Sequence, residues 1–413
     1  MIDVGDMLPL TALVEPASQE ELVAQLRGCY ESTTPCYPIG GGTSLDYGLP
    51  GRLPGIGLRL TALNRVVDYP ARDMTVTVEA GITMAALTAE LARHAQRLPV
   101  DAGDADRATL GGMIATNTSG PRRYGYGTLR DYVIGISAVD GRGTPFKAGG
   151  RVVKNVAGYD LCKLLTGSLG TLAVITQVTL KVRPLPEATA FLACDLSDWQ
   201  QAEAILAALV CSRTTPVAIE IVRGPRWSDV PCRAGDDSLA RVLVGFEGNR
   251  VEVKWQIEQL RRELRENGVA TAEEYGPEAA GKIWDQLIAF GRPGSPLVVK
   301  ANLRPSAVTA FLQTLMRVDC EVSLQSHAGN GIIIAELPNF TAADAGRILV
   351  QTLQPAAVAS GGNVVVWSCA AGELTRQATW GVAASGAELM RAVKQQFDPK
   401  GLLNPGRFVY GVA

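Results

Sequence analysis

Residues 108–125 read ATLGGMIATNTSGPRRYG. Two adjacent glycines, Gly111 and Gly112, precede small residues and hydroxyls, then Asn117, a third glycine at Gly120 and the basic pair Arg122–Arg123. Glycine lets the backbone approach a ligand closely and take positive φ. Consecutive N–H groups in such a turn form an anion-binding concavity. Small side chains leave room for a flat, bulky group. The stretch predicts half of a cradle for a flavin dinucleotide, and the rest of the chain must supply the other half.

Upstream, Thr34–Ser44 reads TPCYPIGGGTS, a short strand entering a glycine loop. An ordinary turn is one reading. Three glycines in a row are costly to order, and the hydroxyls of Thr43 and Ser44 follow at once, which raises the phosphate-binding reading. A Walker loop would place a lysine after the last glycine, and a Rossmann loop would open a helix. Here Pro50 and Pro54 follow, so neither pattern is met. Downstream, the block from Gly149 to Pro184 contains Lys154 and Asn155, which either face a ligand or lock a turn. It also predicts a short helix over Asp160–Leu165, a tight turn over Gly167–Gly170 and a long strand over Leu172–Val182.

Between these blocks, Ser18 with Glu21 is a capping box for a helix over 18–31. Leu58–Leu60, Arg65–Tyr69 and Thr75–Ala80 read as strands. Thr83 caps a helix that carries Met84, Leu87 and Leu91 on one face. His94 falls near its end and reads as a C-terminal-turn histidine. Asp131–Val139 with its Asp140-Gly141 turn reads as a hairpin. Arg122 and Arg123 either pair with a phosphate or substrate carboxylate, or form a solvated pair.

Composition shifts after Pro186. Helices are predicted over 197–212, 251–267, Ala307–Met316 and Ala342–Leu353. Strands are predicted over Arg241–Phe246, 297–303, 321–326 and 331–336. This alternation suggests an α+β domain with an antiparallel sheet, and no internal repeat is visible. A last helix, Glu388–Phe397, with Leu389 and Val393 on its apolar face, leads into FDPKGLLNPGRF at 397–408.

The net charge of −2, without a long basic run, excludes a nucleic-acid partner. No apolar run is long enough to span a bilayer, and the N-terminus shows no secretory pattern. The eight cysteines form neither CxxC pairs nor cluster spacings. Scattered thiols predict a reduced, cytoplasmic protein, held at the inner face of the membrane only through partners. With His94 and His327 as the two histidines, a histidine-built zinc site within the chain is not expected.

Four motifs occur in order: Pro-x-Gly-Gly-Gly-Thr-Ser at 38–44, TLGGMIATNTSG at 109–120, KNVAGYDLCKLLTGSLGTLAVIT at 154–176, and FDPKGLLNPGRF. Together they resemble the vanillyl-alcohol oxidase type of flavoprotein, with its cresol-methylhydroxylase class of FAD-binding domain. Within that family they are most similar to the FAD-binding, E-type subunits of bacterial glycolate oxidase (glycolate dehydrogenase). The resemblance implies an α+β fold: an FAD domain of two α+β subdomains at 1–185, a ferredoxin-like antiparallel cap at 186–375, and a C-terminal segment, 376–413, that returns to the FAD domain. It also implies FAD held non-covalently, because no histidine sits in a flavin loop. The implied cofactor-binding residues are Pro38, Gly40, Gly41, Gly42, Thr43 and Ser44 at the pyrophosphate. Thr109, Leu110, Gly111, Gly112, Asn117, Ser119 and Gly120 run toward the isoalloxazine. Val174 and Ile175 lie on the adenine side, and Asn404 lies in the returning tail.

Catalytic relatives carry a cap motif resembling H-A-G-D-G-N-x-H and a later G-E-H-G. Together these supply ligands for a divalent metal that polarises a 2-hydroxy acid. Here the corresponding run is Ser326-His327-Ala328-Gly329-Asn330-Gly331-Ile332-Ile333-Ile334, and GGNVVVWS at 361–368 lacks Glu-His-Gly. Asparagine replaces the aspartate and isoleucine the second histidine, so no metal ligands are expected. His327 is left as a candidate base or as a remnant held by the fold. The expected function is therefore an FAD-binding subunit of a complex that oxidises glycolate to glyoxylate. A D-type flavoprotein paralogue and an iron–sulfur subunit are its implied partners. The alternatives are a flavin-binding partner without substrate chemistry, or a stand-alone 2-hydroxy-acid dehydrogenase.

Overall fold

A computed structural model describes residues 8–151, 158–228, 231, 234–235, 238–291, 295–370, 374–383 and 385–409. Lys154 and Asn155 lie outside the described residues. The chain divides into two compact units. The first holds Met1–Ser119, Gly127–Leu185 and Ala383–Ala413, and the second holds Gly120–Tyr126 and Pro186–Val382.

The first unit has two sheets. Leu10–Val14, Gly55–Arg59 and Cys36–Ile39 form a parallel three-stranded sheet with Gly55–Arg59 in the centre. Helix Gln19–Ser32 covers it through Leu22, Leu26 and Cys29. Ser18 accepts from the Glu21 N–H at 3.2 Å, as an N-cap should. The second sheet is five-stranded and antiparallel, in the order Val66–Asp68, Thr75–Glu79, Ala173–Lys181, Val133–Asp140, Pro145–Gly149. Thr83 caps helix Met84–Ala92, whose Met84, Leu87 and Leu91 are buried, following the apolar spacing.

The last helix, Ala387–Phe397, departs from its pattern. Leu389 is 70% exposed, while a charged residue, Lys394, is buried together with Ala387. Its ammonium donates to Thr171 O at 2.6 Å and pairs with Asp398 at 2.5 Å. Asp398 in turn accepts from the N–H groups of Leu402 and Leu403. A hydrogen-bonded ion pair, instead of an apolar stripe, fixes the start of the tail.

The second unit is built on an eight-stranded antiparallel sheet. Its order is Glu273–Tyr275, Ala188–Leu196, Ala240–Gly248, Ala218–Arg223, Ser323–His327, Ile332–Leu337, Leu297–Asn302, Asn363–Cys369. Each half runs strand–helix–strand–strand–helix–strand and pairs its strands in the spatial order fourth, first, third, second. The two ferredoxin-like halves join where Ala218–Arg223 meets Ser323–His327. The repeat that the sequence does not show is thus present in the topology. Only alternation and chain order were retained, and these leave no shared residues to read. Helices Trp199–Val210, Arg250–Glu266 and Val308–Val318 bury one face of the sheet. Helix Pro277–Ala289 packs on the other. The helix predicted to end at Leu353 continues to Ala359 through a π-turn at Leu349–Leu353. Pro355, which lacks the N–H that would bond four residues back, follows directly.

Candidate functional site

In the first unit, strand Cys36–Ile39 delivers the chain into Gly40–Ser44. Among the described residues, the N–H groups of Gly40, Gly41, Gly42, Thr43 and Ser44 have no acceptor within the protein. Gly42 takes φ +72°. A Cβ on Gly41 would stand 1.6 Å from Arg107 O, and one on Gly40 would stand 2.2 Å from Thr109 Oγ1. The glycines therefore let this loop lie flat on the 107–109 turn while its own donors stay unspent. Arg107 reaches back to Gly41 O at 3.2 Å and so keeps a cation beside the loop. Five unspent backbone donors with an adjacent guanidinium fit a pyrophosphate.

The 109–120 stretch behaves differently from its reading. Leu110–Thr116 is helix, and neither Gly111 nor Gly112 takes positive φ. The donors are committed: Leu110 N–H to Ile82 O at 3.0 Å, Gly111 N–H to Ala80 O at 2.7 Å, and Gly112 N–H to Thr109 Oγ1 at 3.3 Å. Gly111 is required by packing, since its Cβ would meet Ala80 at 2.9 Å. The expected nest of N–H groups is thus absent from 109–112 and lies at 40–44. What the stretch does offer comes at its end. Asn117 takes the left-handed conformation, and its buried Oδ1 has no partner; the buried Ser168 Oγ is also unmet. Gly167 binds the two segments together by donating to Ile114 O at 2.9 Å. Orphaned buried polar atoms fit a bound polar cofactor.

The other predicted residues have these places in the fold. Pro38 pairs with Leu58 in the sheet. Val174 and Ile175 are buried and pair with Val139 and Ala138, whereas the ladder to Thr75–Glu79 begins only at Gln177. Asn404 takes φ +46°, donates from its side chain to Leu169 O at 2.7 Å, and donates its N–H to Cys36 O at 2.9 Å. It therefore ties the tail to the root of the glycine loop. Ser119 ends this unit's portion of the stretch, and Gly120 opens the segment assigned to the second unit. The sequence reading passed over Arg407, which is buried and donates to Leu45 O. Desolvation holds its guanidinium below the ordinary value, with the Asp46 and Tyr37 charges opposing.

In the second unit, His327 ends its strand and is 3% exposed. Its Nδ1 lies 2.8 Å and 2.9 Å from the two carboxylate oxygens of Glu220 on the paired strand. A carboxylate only accepts, so Nδ1 carries the hydrogen, and in the neutral ring Nε2 then holds the free lone pair. Glu220 also accepts from Gln325 Nε2 at 2.8 Å. Glu220 was missed in the sequence; its signal was one acid inside the apolar strand Ala218–Val222. Gly329 and Gly331 have packing reasons of their own. A Cβ on Gly329 would meet the Tyr124 ring at 2.3 Å, and Gly331 takes φ +71° with Leu303 O at 2.1 Å from its Cβ position. Ile334, at the second histidine position, is buried in an apolar cluster. Among the described residues, no group of three or more His, Cys, Asp or Glu could hold a metal, so this motif does not fit one.

Two family models match the chain: "FAD binding domain" over residues 10–149, and "FAD linked oxidases, C-terminal domain" over residues 185–295 and 378–408. The chain thus carries both an FAD-binding domain and the C-terminal domain of FAD-linked oxidases. FAD is its cofactor. It is 28% identical to glycolate oxidase subunit GlcE of Escherichia coli, across 94% of this chain and 96% of that one. It is 28% identical to a D-lactate dehydrogenase of Archaeoglobus fulgidus, across 96% and 91%. It is 24% identical to glycolate oxidase subunit GlcD of Bacillus subtilis, across 96% and 88%. Among solved structures, an alkyldihydroxyacetonephosphate synthase superposes with a TM-score of 0.69 at 18% identity, covering 95% of this chain and 75% of that one. That likeness shows the fold alone, a mixed α+β architecture with antiparallel sheets. No helix among the described residues is long and apolar enough to cross a membrane.

Proposed function

We propose that this chain is the FAD-binding subunit of a complex that oxidises glycolate to glyoxylate, with FAD bound non-covalently at Gly40–Ser44 and around Asn117, Ser168 and Asn404. The observation that carries the reading is the His327–Glu220 pair. A histidine fixed at Nδ1 by a buried carboxylate presents Nε2 as a proton acceptor, and the carboxylate stabilises the imidazolium that forms. FAD, when bound, supplies the two-electron acceptor for oxidation of the carbinol carbon. His327 takes the hydroxyl proton at Nε2, and Glu220 holds the ring through Nδ1. The scattered cysteines offer no cluster ligation, so electrons leave through an iron–sulfur partner, with a D-type paralogue in the same assembly. Similarity to both GlcE and GlcD supports this placement.

A second reading has an observation of its own. Ile334 and Asn330 remove the donors a substrate-polarising metal would use, which favours a flavin-binding partner whose paralogue does the oxidation. An anaerobic titration with glycolate separates the two. Bleaching of the flavin on the isolated chain supports catalysis here. Bleaching only after a D-type subunit is added supports the partner role. A chain that cannot be loaded with FAD sinks both.

A further inference from the structure

The C-terminal tail brings Arg407 to the exit of the glycine loop. Asn404 ties the tail to Cys36, Pro405 and Gly406 follow, and the Arg407 N–H donates back to Asn404 O at 3.1 Å. The guanidinium donates from Nη2 to the carbonyl of Leu45, the residue that follows Gly40–Ser44. Arg407 is 6% exposed, and its Nε is buried without an acceptor. Among the described residues it makes no ion pair, and Asp46 and Tyr37 act on it through charge alone. Asp46 is a poor counter-ion, because its own burial pushes its carboxyl above the ordinary value. Desolvation outweighs both charges and holds the guanidinium below its ordinary value. A cation taken out of water on these terms destabilises the fold unless an anion joins it.

The other guanidinium at this loop shows what compensation looks like. Arg107 also bonds a loop carbonyl, Gly41 O at 3.2 Å. Its side chain, however, is 45% exposed and pairs with Asp104 at 3.3 Å. Arg407 has neither water nor a paired acid. Next to its carbonyl partner run the N–H groups of Gly40–Ser44, which have no acceptor among the described residues. One short stretch thus holds a cation that lacks an anion and a row of donors that lacks an acceptor. A diphosphate answers both demands, because it carries the charge and enough oxygens for the guanidinium and the loop together. A single carboxylate has too few oxygens for them all, and a neutral ligand leaves the charge bare.

We propose that Arg407 is the tail's contribution to the cofactor site, a buried cation that binds the FAD pyrophosphate together with the N–H groups of Gly40–Ser44. The assignment rests on the placement of FAD at that loop, and not on the oxidation of glycolate. It gives the tail two roles: Asn404 fixes the root of the loop, and Arg407 puts charge at its exit.

The test uses the full chain, loaded with FAD and freed of it. Arg407→Gln keeps an N–H for Leu45 O but removes the charge. It should weaken FAD binding about tenfold or more, the scale of one lost charge-assisted contact. Arg407→Lys keeps the charge without the fork, so its affinity should lie between that of the parent and that of Arg407→Gln. Inorganic pyrophosphate should raise the melting temperature of the flavin-free parent and leave that of flavin-free Arg407→Gln unchanged. An arginine that only anchors the Leu45 carbonyl would not produce that difference. Parental FAD affinity in Arg407→Gln, no pyrophosphate response in the parent, or the same response in the variant would each overturn the assignment. If Arg407→Gln does not fold, Arg407→Lys decides: parental melting without FAD and a retained pyrophosphate response support the assignment, and loss of that response overturns it. Gly41→Ala tests the placement beneath it. A Gly41→Ala chain that keeps FAD removes the placement and the assignment together. Loss of FAD in Gly41→Ala with full affinity in Arg407→Gln keeps the placement and removes Arg407.

Discussion

The glycine loop at 40–44 and the turn at 327–331 both keep their glycines, but the two loops keep different things with them. In the first, glycine lets the loop press onto Arg107 and Thr109 while its N–H groups remain unspent. In the second, Gly329 and Gly331 answer to Tyr124 and Leu303, and the neighbouring ligand positions have become Asn330 and Ile334. A retained glycine therefore reports a backbone constraint, and the constraint outlives the chemistry beside it. Unspent donors and orphaned acceptors are the better sign of a ligand.

Paired alanine substitutions put that contrast under the most strain. Gly41→Ala forces a Cβ to within 1.6 Å of a backbone carbonyl, and it should cost about 4–5 kcal/mol, the upper end for a point substitution. The purified variant should also be free of FAD. Gly331→Ala should likewise lower the unfolding midpoint, but it should leave the FAD content intact. If both variants lose FAD, the glycine loop has no special claim on the cofactor. Next in size is the tail lock. Asp398→Asn leaves the Lys394 ammonium buried without its partner, which should cost about 3–5 kcal/mol in chemical unfolding. Because the tail carries Asn404 to the root of the glycine loop, FAD should also dissociate faster. An unchanged dissociation rate would separate the tail from the cofactor.

Much of this architecture was legible from the residues. Caps at Ser18 and Thr83, alternation in Thr75–Ala80, and glycine punctuation placed the elements and the order of the motifs. The illegible parts have physical reasons. Gly111–Gly112 look like a nest, yet the carbonyls of Ala80 and Ile82 claim the N–H groups of Gly111 and Leu110, and no local pattern announces partners so distant in sequence. Lys394 sits where helical spacing suggests an apolar face, because an acid four residues on neutralises it. Glu220 is one carboxylate in a strand whose partner, His327, is distant in sequence. Long-range pairing decides the first and the last, and a local i, i+4 ion pair decides the second.

The turn at 327–331 allows a sharper test through rate. His327→Gln keeps a polar side chain but removes the proton acceptor at Nε2. If the chain oxidises glycolate itself, anaerobic flavin reduction should slow by about 10²-fold or more, the usual worth of a positioned base. Glu220→Gln should slow it less and should move its pH profile, because the ring loses the charge that stabilises its protonated form. If His327→Gln reduces the flavin at the parent's rate, His327 is a remnant of packing in the same sense as Gly329.

The smallest effect belongs to the first unit and concerns the strand that feeds Ala80 to Gly111. Glu79 is buried at the end of that strand and accepts from Arg65 Nη2 at 2.7 Å and from the Arg65 N–H at 2.8 Å. Burial alone would raise its carboxyl, but the hydrogen bonds and charge of Arg65 outweigh burial and hold it below the ordinary 4.5. Below 4.5 the unfolded chain therefore takes up this proton before the folded one does. The contribution is complete at neutral pH and is lost as pH falls through the folded value. Arg65 is largely exposed, so water and salt screen the pair and the effect stays small. Unfolding midpoints of the parent should fall more steeply below pH 4.5 than those of Glu79→Gln, and added salt should narrow the gap. Parallel profiles would mean that the strand end is held by its backbone bonds alone, as the glycines of both loops are held by packing.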